Sequence, residues 1–258
     1  MLTILYSRQL FGSFYYLAWF FISVKEFSAL DAGVAILPAA GATVPSAIVC
    51  GGIITRTGYY RWAIWVGWIL STVGLAVTST WDERTSTGVW AGTLVISGLG
   101  HGCLLNAQNF AAQAQCRPGD EGAAAAMYAF VRQLGAAMGV GIGGSIFQNV
   151  MALKLGWVGL DTSIAQEAEA YVFVLNALPD GDPFKIKAIS AYVYGFQGVW
   201  WTYVALSGLA LVMSLAIKHQ DMNRRISTIH TLEKSKVAPL LRFDARHKTE
   251  AQASGSPV

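Results

Sequence analysis

The sequence predicts an all-α, polytopic membrane fold with six transmembrane helices. Hydrophobic residues make up 54% of the 258 and charged residues only 13%, against about 25% charge in soluble domains. Mean hydropathy is +0.45. Six long apolar runs are separated by short segments that gather the charge, and about 20 apolar residues suffice to cross a bilayer. Burial in such a chain is helix against helix in lipid, without a water-driven collapse.

The first span is expected over 3–24. It is the weakest, because only Gln9 to Val24 is free of charge until Lys25, and it is crowded with the aromatics Phe14, Tyr15, Tyr16, Trp19, Phe20 and Phe21. The second, 32–55, holds Pro38 and Pro45, which membrane helices tolerate where neighbours satisfy the freed backbone groups. The third covers 62–80. The fourth, 89–115, lies in a charge-free run between Arg84 and Arg117, long enough to span with tilt. The fifth, 123–151, carries Arg132 as its one charge, with Gly135, Gly139 and Gly143 at every fourth position. The sixth is expected over 194–217.

That fifth span organises the chain. Residues four apart share a helix face, and a glycine stripe lets another backbone approach closely. Gly135, Gly139 and Gly143 are therefore read as a helix-packing face. Arg132 borders the same stripe. It either looks into protein or a polar cavity, or snorkels to headgroups from near one end. Asp120 and Glu121 precede the span, where acids favour a helix N-terminus and cap it.

Connections are short except the one between the fifth and sixth spans. There Asp161 or Thr162 is placed to cap a surface helix through an Ala/Glu-rich part, with a loose loop as the alternative. The tail, 218–258, has eight Lys/Arg against four acids and no apolar run. It is expected to be disordered and basic. Arg8, Arg56, Arg61, Arg117 and the tail fall on one side of the expected topology. The excess of Lys and Arg there predicts that both termini are cytoplasmic.

The fourth span carries polar residues on two faces. Asn106, Asn109 and Gln113 form one; His101, Gln108 and Gln115 form the other. Intramembrane polar groups need partners, so one face is expected to line a cavity and the other to pack on a neighbour. His101 is the only embedded side chain that titrates near neutral pH, which makes it the proton-linked candidate. A satisfied packing histidine is the alternative.

No enzyme is expected: neither a phosphate-binding loop, a zinc-protease motif nor a nucleophile elbow occurs. Gly98-x-Gly100-x-Gly102 and Gly139-x-Gly141-x-Gly143 mimic nucleotide-binding loops, but no strand precedes them. Cys50, Cys103 and Cys116 form no secreted disulfide pattern, and with His101 they match no zinc spacing. No cofactor, metal or nucleic-acid partner is expected.

The loop GGIITRTGYYRW brings in a family. Gly51, Arg56 and Gly58 match the Gly-x-x-x-(Asp)-Arg-x-Gly-Arg-Arg cytoplasmic loop of the major facilitator superfamily, which this segment resembles, with Arg61 closing it. Thr55 stands where that family often has Asp, and Tyr59 and Tyr60 replace basic residues. The segments FYYLAWFFISVKEFSALDAGVAILPAA, GLGHGCLLNAQNFAAQA, RPGDEGAAAAMYAFVRQLG and IKHQDMNRR resemble fungal multidrug efflux transporters of the fourteen-helix drug/proton antiporter branch. The resemblance covers the C-terminal six helices alone. It implies one half of a transporter, made of two three-helix inverted repeats, that exports small lipophilic molecules against protons across the plasma membrane. The missing N-terminal half, or a second copy, would complete it. A transport-incompetent, truncated membrane fragment is the competing expectation. Tyr16, Asn106, Asn109, Gln113 and Arg132 are the residues assigned to the substrate pathway.

Overall fold

The computed structural model describes residues 1–116, 119–179 and 181–217. The tail expected to be disordered lies outside them. Among the described residues the secondary structure is all α, in seven α-helices and one 3-10 turn: α1 (Leu2–Ser23), α2 (Ala29–Thr57), α3 (Arg61–Thr78), α4 (Thr87–Ala114), α5 (Glu121–Val158), the turn Thr162–Ala165, α6 (Ala168–Asn176) and α7 (Pro183–Leu215).

Helices α2, α3, α4, α5 and α7 are long and apolar enough to cross a membrane. Helix α1 has the length, 22 residues, but not the apolar run. The packing supplies the reason. Helix α1 touches α2, α4, α5 and α7, and Ser7, Gln9 and Ser13 are buried among them. A helix clad by its neighbours faces little lipid and tolerates polar side chains.

Helices α5 and α7 run furthest past their expected spans. Helix α5 continues to Val158 and stops where Gly159 adopts a left-handed φ of 73°, a conformation open to glycine at low cost. Helix α7 starts at Pro183, whose missing N–H is an orphan in any first turn, and Asp182 accepts a hydrogen bond from Phe184 N. The connection between them is accordingly shorter than expected. Asp161 does cap, but it caps the 3-10 turn by accepting from Ser163 N at 2.9 Å. Asp120 occupies the cap position of α5 without a side-chain bond, while Glu121 reaches back to Gly119 N at 3.0 Å.

The helices interleave. Helix α2 packs chiefly on α4, and α5 packs chiefly on α1. Exchanging the first three long helices for the last three swaps one contact for the other, as intertwined three-helix units require. The α2–α4 seam explains the first glycine triplet. A Cβ on Gly98 would strike the carbonyl oxygen of Ala39, and one on Gly102 that of Thr43, both on α2. Gly100 faces α3 instead, where an added Cβ would come within 2.7 Å of Ser71 N. Alternate glycines thus seat one helix on two neighbours.

The core falls into two clusters. One is aromatic and includes Phe20, Phe21, Trp81, Phe147, Phe196 and Trp200, near the end that carries the α1–α2, α3–α4 and α5–α7 connections. The other holds Tyr6, Ile54, Tyr60, Trp68 and Leu104 toward the opposite end. The aromatics of α1 mostly serve the first cluster, and Tyr15 alone among them is exposed.

Candidate functional site

Tyr16 is buried at the centre of the α1–α5–α7 junction. Its hydroxyl donates to Val140 O at 2.7 Å, and Tyr203 of α7 donates to the adjoining Gly139 O at 3.0 Å. Both bonds depend on missing side chains. A Cβ on Gly139 would collide with the carbonyl oxygen of Arg8, and one on Gly143 with the Tyr16 ring. A Cβ on Gly135 would likewise come within 2.8 Å of Ile4 O. All three glycines of the stripe therefore face α1, and Gly139 and Gly143 carry the closest approach.

Tyr16 also lines a cleft of about 360 Å³, together with Trp19, Phe147, Gln148, Gln166 and Glu169. Aromatic rings form one wall, with Trp19 and Phe147 at a centroid distance of 4.3 Å. The other wall is the segment leading into α6. Tyr15 ties the two by donating to Glu169 Oε1 at 2.5 Å, and Gln148 Nε2 donates to Gln166 O at 3.4 Å. Sequence reasoning read Glu169 only as part of a surface connection. Its partner lies 154 residues away, and no local pattern marks such a pair.

The two polar faces of α4 separate. His101 and Gln108 are buried, while Gln115 is exposed at the helix end. Asn106, Asn109 and Gln113 are half-buried. Asn106 Nδ2 donates to Ala47 O of α2 at 2.7 Å, in the space left by Gly51, so it serves as an interhelical bond. Gln113 Nε2 donates to Asn109 Oδ1 at 3.0 Å. Arg132 is half-buried with its guanidinium over the Phe11 ring at 5.5 Å, a cation–π contact. Its Nε has no hydrogen-bond partner among the described residues.

His101 sits deep between α1 and its own helix. Its ring centroid is 5.9 Å from that of Tyr6 and 6.4 Å from that of Phe14, and its carbonyl oxygen accepts from Tyr6 Oη at 3.1 Å. It is 3% exposed, so no open aqueous surface reaches it.

The α2–α3 loop is built as its glycines require. Gly58 ends α2 at φ 73°, donating its N–H to Ile54 O. Gly51 admits the Asn106 amide. Arg56 lies in the last turn of α2, where a cation is favoured by the helix dipole. Arg61 opens α3 and stacks over Trp65 at 4.9 Å. The sequence profile described as Major Facilitator Superfamily matches residues 1–140.

The chain belongs to the major facilitator superfamily.

Its relatives are fungal. The MFS transporter L2 of Phoma sp. is 33% identical over 240 residues, covering 91% of this chain and 40% of the relative. The MFS efflux transporter aclA of Aspergillus oryzae is 31% identical, over 86% of this chain and 41% of its own. The efflux pump FUS6 of Gibberella fujikuroi is 25% identical, over 92% and 44%. This facilitator chain therefore spans about 40% of the length of the curated relatives it matches. It is an integral membrane protein with multiple spans, a partial facilitator related to fungal efflux pumps, and not an enzyme.

Proposed function

We propose that the chain forms one six-helix wall of an efflux transporter that exports small lipophilic molecules by alternating access, driven by proton antiport. The observation that carries this reading is the distribution of burial. Only 22% of the most apolar window is buried in α2 and in α5, against 44% in α3 and 50% in α4. Helices α2 and α5 offer the most uncovered surface, and a second six-helix unit set against them would enclose a pathway at the interface. That unit is the other half of a full-length facilitator or a second copy of this chain.

Asn109, Gln113 and Arg132 would then face the pathway as half-buried polar groups on α4 and α5, with Tyr16 at one mouth. Asn106 has a smaller share in this role, because its amide is engaged by α2. Among the described long helices the only acids are Asp31 and Glu121, each in the first turn of its helix, so a proton-accepting carboxylate deeper in the membrane would come from the second unit. The proposal also puts both termini in the cytoplasm, which the excess of Lys and Arg on that side supports, and the protein in the plasma membrane, where an exporter would act.

Single cysteines on a cysteine-free background test the pathway. In vesicles holding the chain with its second unit, a membrane-impermeant thiol reagent should label position 109 or 113. It should not label position 212, an exposed valine of α7. Labelling at 212 but not at 109 or 113 refutes the assignment.

A further inference from the structure

Between the two core clusters lies a small cavity at the meeting of five helices. Ser13 of α1, Ala39 of α2, Thr78 of α3, His101 of α4 and Trp200 of α7 border it. Its volume is about 10 Å³, at the lower edge of the roughly 10–15 Å³ that the centre of one water molecule needs.

Three polar atoms on this lining have no hydrogen-bond partner among the described residues: Ser13 Oγ, His101 Nδ1 and Trp200 Nε1. Their residues are 4%, 3% and 0% exposed. Buried polar groups left unpaired bear their full desolvation cost, and native folds almost always satisfy them. The chemistry of the three is complementary to one small molecule. An indole N–H only donates, a neutral imidazole nitrogen without hydrogen only accepts, and a serine hydroxyl does both.

We infer that this cavity is a binding site for a single water molecule, held by Ser13, His101 and Trp200. The water accepts from Trp200 Nε1, donates to His101 Nδ1 and exchanges its third bond with Ser13 Oγ. This makes about three bonds, the usual number for an internal water. A metal cation fits poorly, since Trp200 brings a donor to the site. His101 is thereby fixed as the neutral tautomer with its hydrogen on Nε2. The water joins α1 to α4 and α7, and so pins the first three long helices to the last three at mid-depth. This inference does not rest on the direction or cargo of transport.

The test is a thermodynamic cycle on the full chain in detergent, with Ser13→Ala, Trp200→Phe and both together. A bridging water makes each single change destabilising, raising the unfolding equilibrium constant by about fivefold, the scale of one net hydrogen bond. The double variant should then fall short of the product of the two effects. Without a bound water, each change removes an orphaned polar atom, so neutral or stabilising, multiplicative effects overturn the inference. The second readout is magnetisation transfer from water to the imidazole of His101 in histidine-labelled chain, with His101→Gln assigning the signal. Transfer to the buried ring is expected. Its absence in folded protein overturns the site whatever the stabilities show.

Discussion

Lys185 Nζ lies 2.7 Å from Glu26 Oε1, and the pair joins the turn after α1 to the first turn of α7. The lysine side chain is 4% exposed and the glutamate 36%. Glu26 holds a left-handed φ of 56°, an uncommon conformation for a residue with a side chain. Beside it, Lys25 Nζ donates to Glu83 O at 2.7 Å and to Thr85 O at 2.8 Å. One short turn thus ties three connections together at the same end of the protein.

The asymmetry of burial predicts unequal losses. Glu26→Gln takes a carboxylate from a buried ammonium that keeps its bond to Leu178 O at 3.3 Å, whereas Lys185→Met leaves a carboxylate that can turn to water. The first should cost about 1–3 kcal/mol, between the values for exposed and buried pairs, and the second less. Thermal unfolding of the two variants in detergent checks the order.

The α1–α5 approach predicts a sharp contrast between neighbouring glycines. Gly139→Leu would drive a side chain into the α1 backbone at Arg8, whereas Gly141 has nothing within 4 Å. Overpacking typically costs about 1–3 kcal/mol. Gly139→Leu should therefore destabilise or misassemble the helices, and Gly141→Leu should not. Unchanged melting of the Gly139 variant would refute the close-packing role.

The α2–α4 seam predicts a cross-link. Cys50 Sγ and Cys103 Sγ are 2.8 Å apart. Diamide, which removes one hydrogen from each thiol, should join them. A linked peptide pair in a digest, absent from Cys50→Ser, checks this.

Asp161 predicts a local pH dependence. Its carboxylate accepts from the Ser163 backbone N–H, and that bond holds its pKa below the ordinary aspartate value. A depressed acid stabilises the fold above its unfolded pKa, and the contribution is lost as pH falls through the folded pKa. Amide exchange of Ser163 to Ala165 should be slower than in Asp161→Ala at neutral pH. The difference should vanish in acid.

Several features were legible in the sequence for a physical reason. Long uncharged runs mark helices in lipid, Gly58 marks a turn that needs positive φ, and the four-residue spacing of Gly135, Gly139 and Gly143 marks a face. The rest depended on partners far along the chain. Gly98, Gly100 and Gly102 read as a misplaced nucleotide motif until α2 and α3 were seen on either side. Asn106 looked like a pathway residue, and its amide is engaged by Ala47 O. The Tyr15–Glu169 bond and the polar atoms gathered at Ser13, His101 and Trp200 come from four different helices. Periodicity within one helix carries no information about such meetings.

The most direct test of the central claim is export from vesicles. The purified chain is reconstituted alone and with the N-terminal six helices of a full-length relative, and a lipophilic dye is followed under an imposed proton gradient. The account predicts gradient-driven export once a second six-helix unit is present, supplied by the relative or by a stable dimer of this chain. Export by strictly monomeric chain, or none in a folded two-unit assembly, would contradict it.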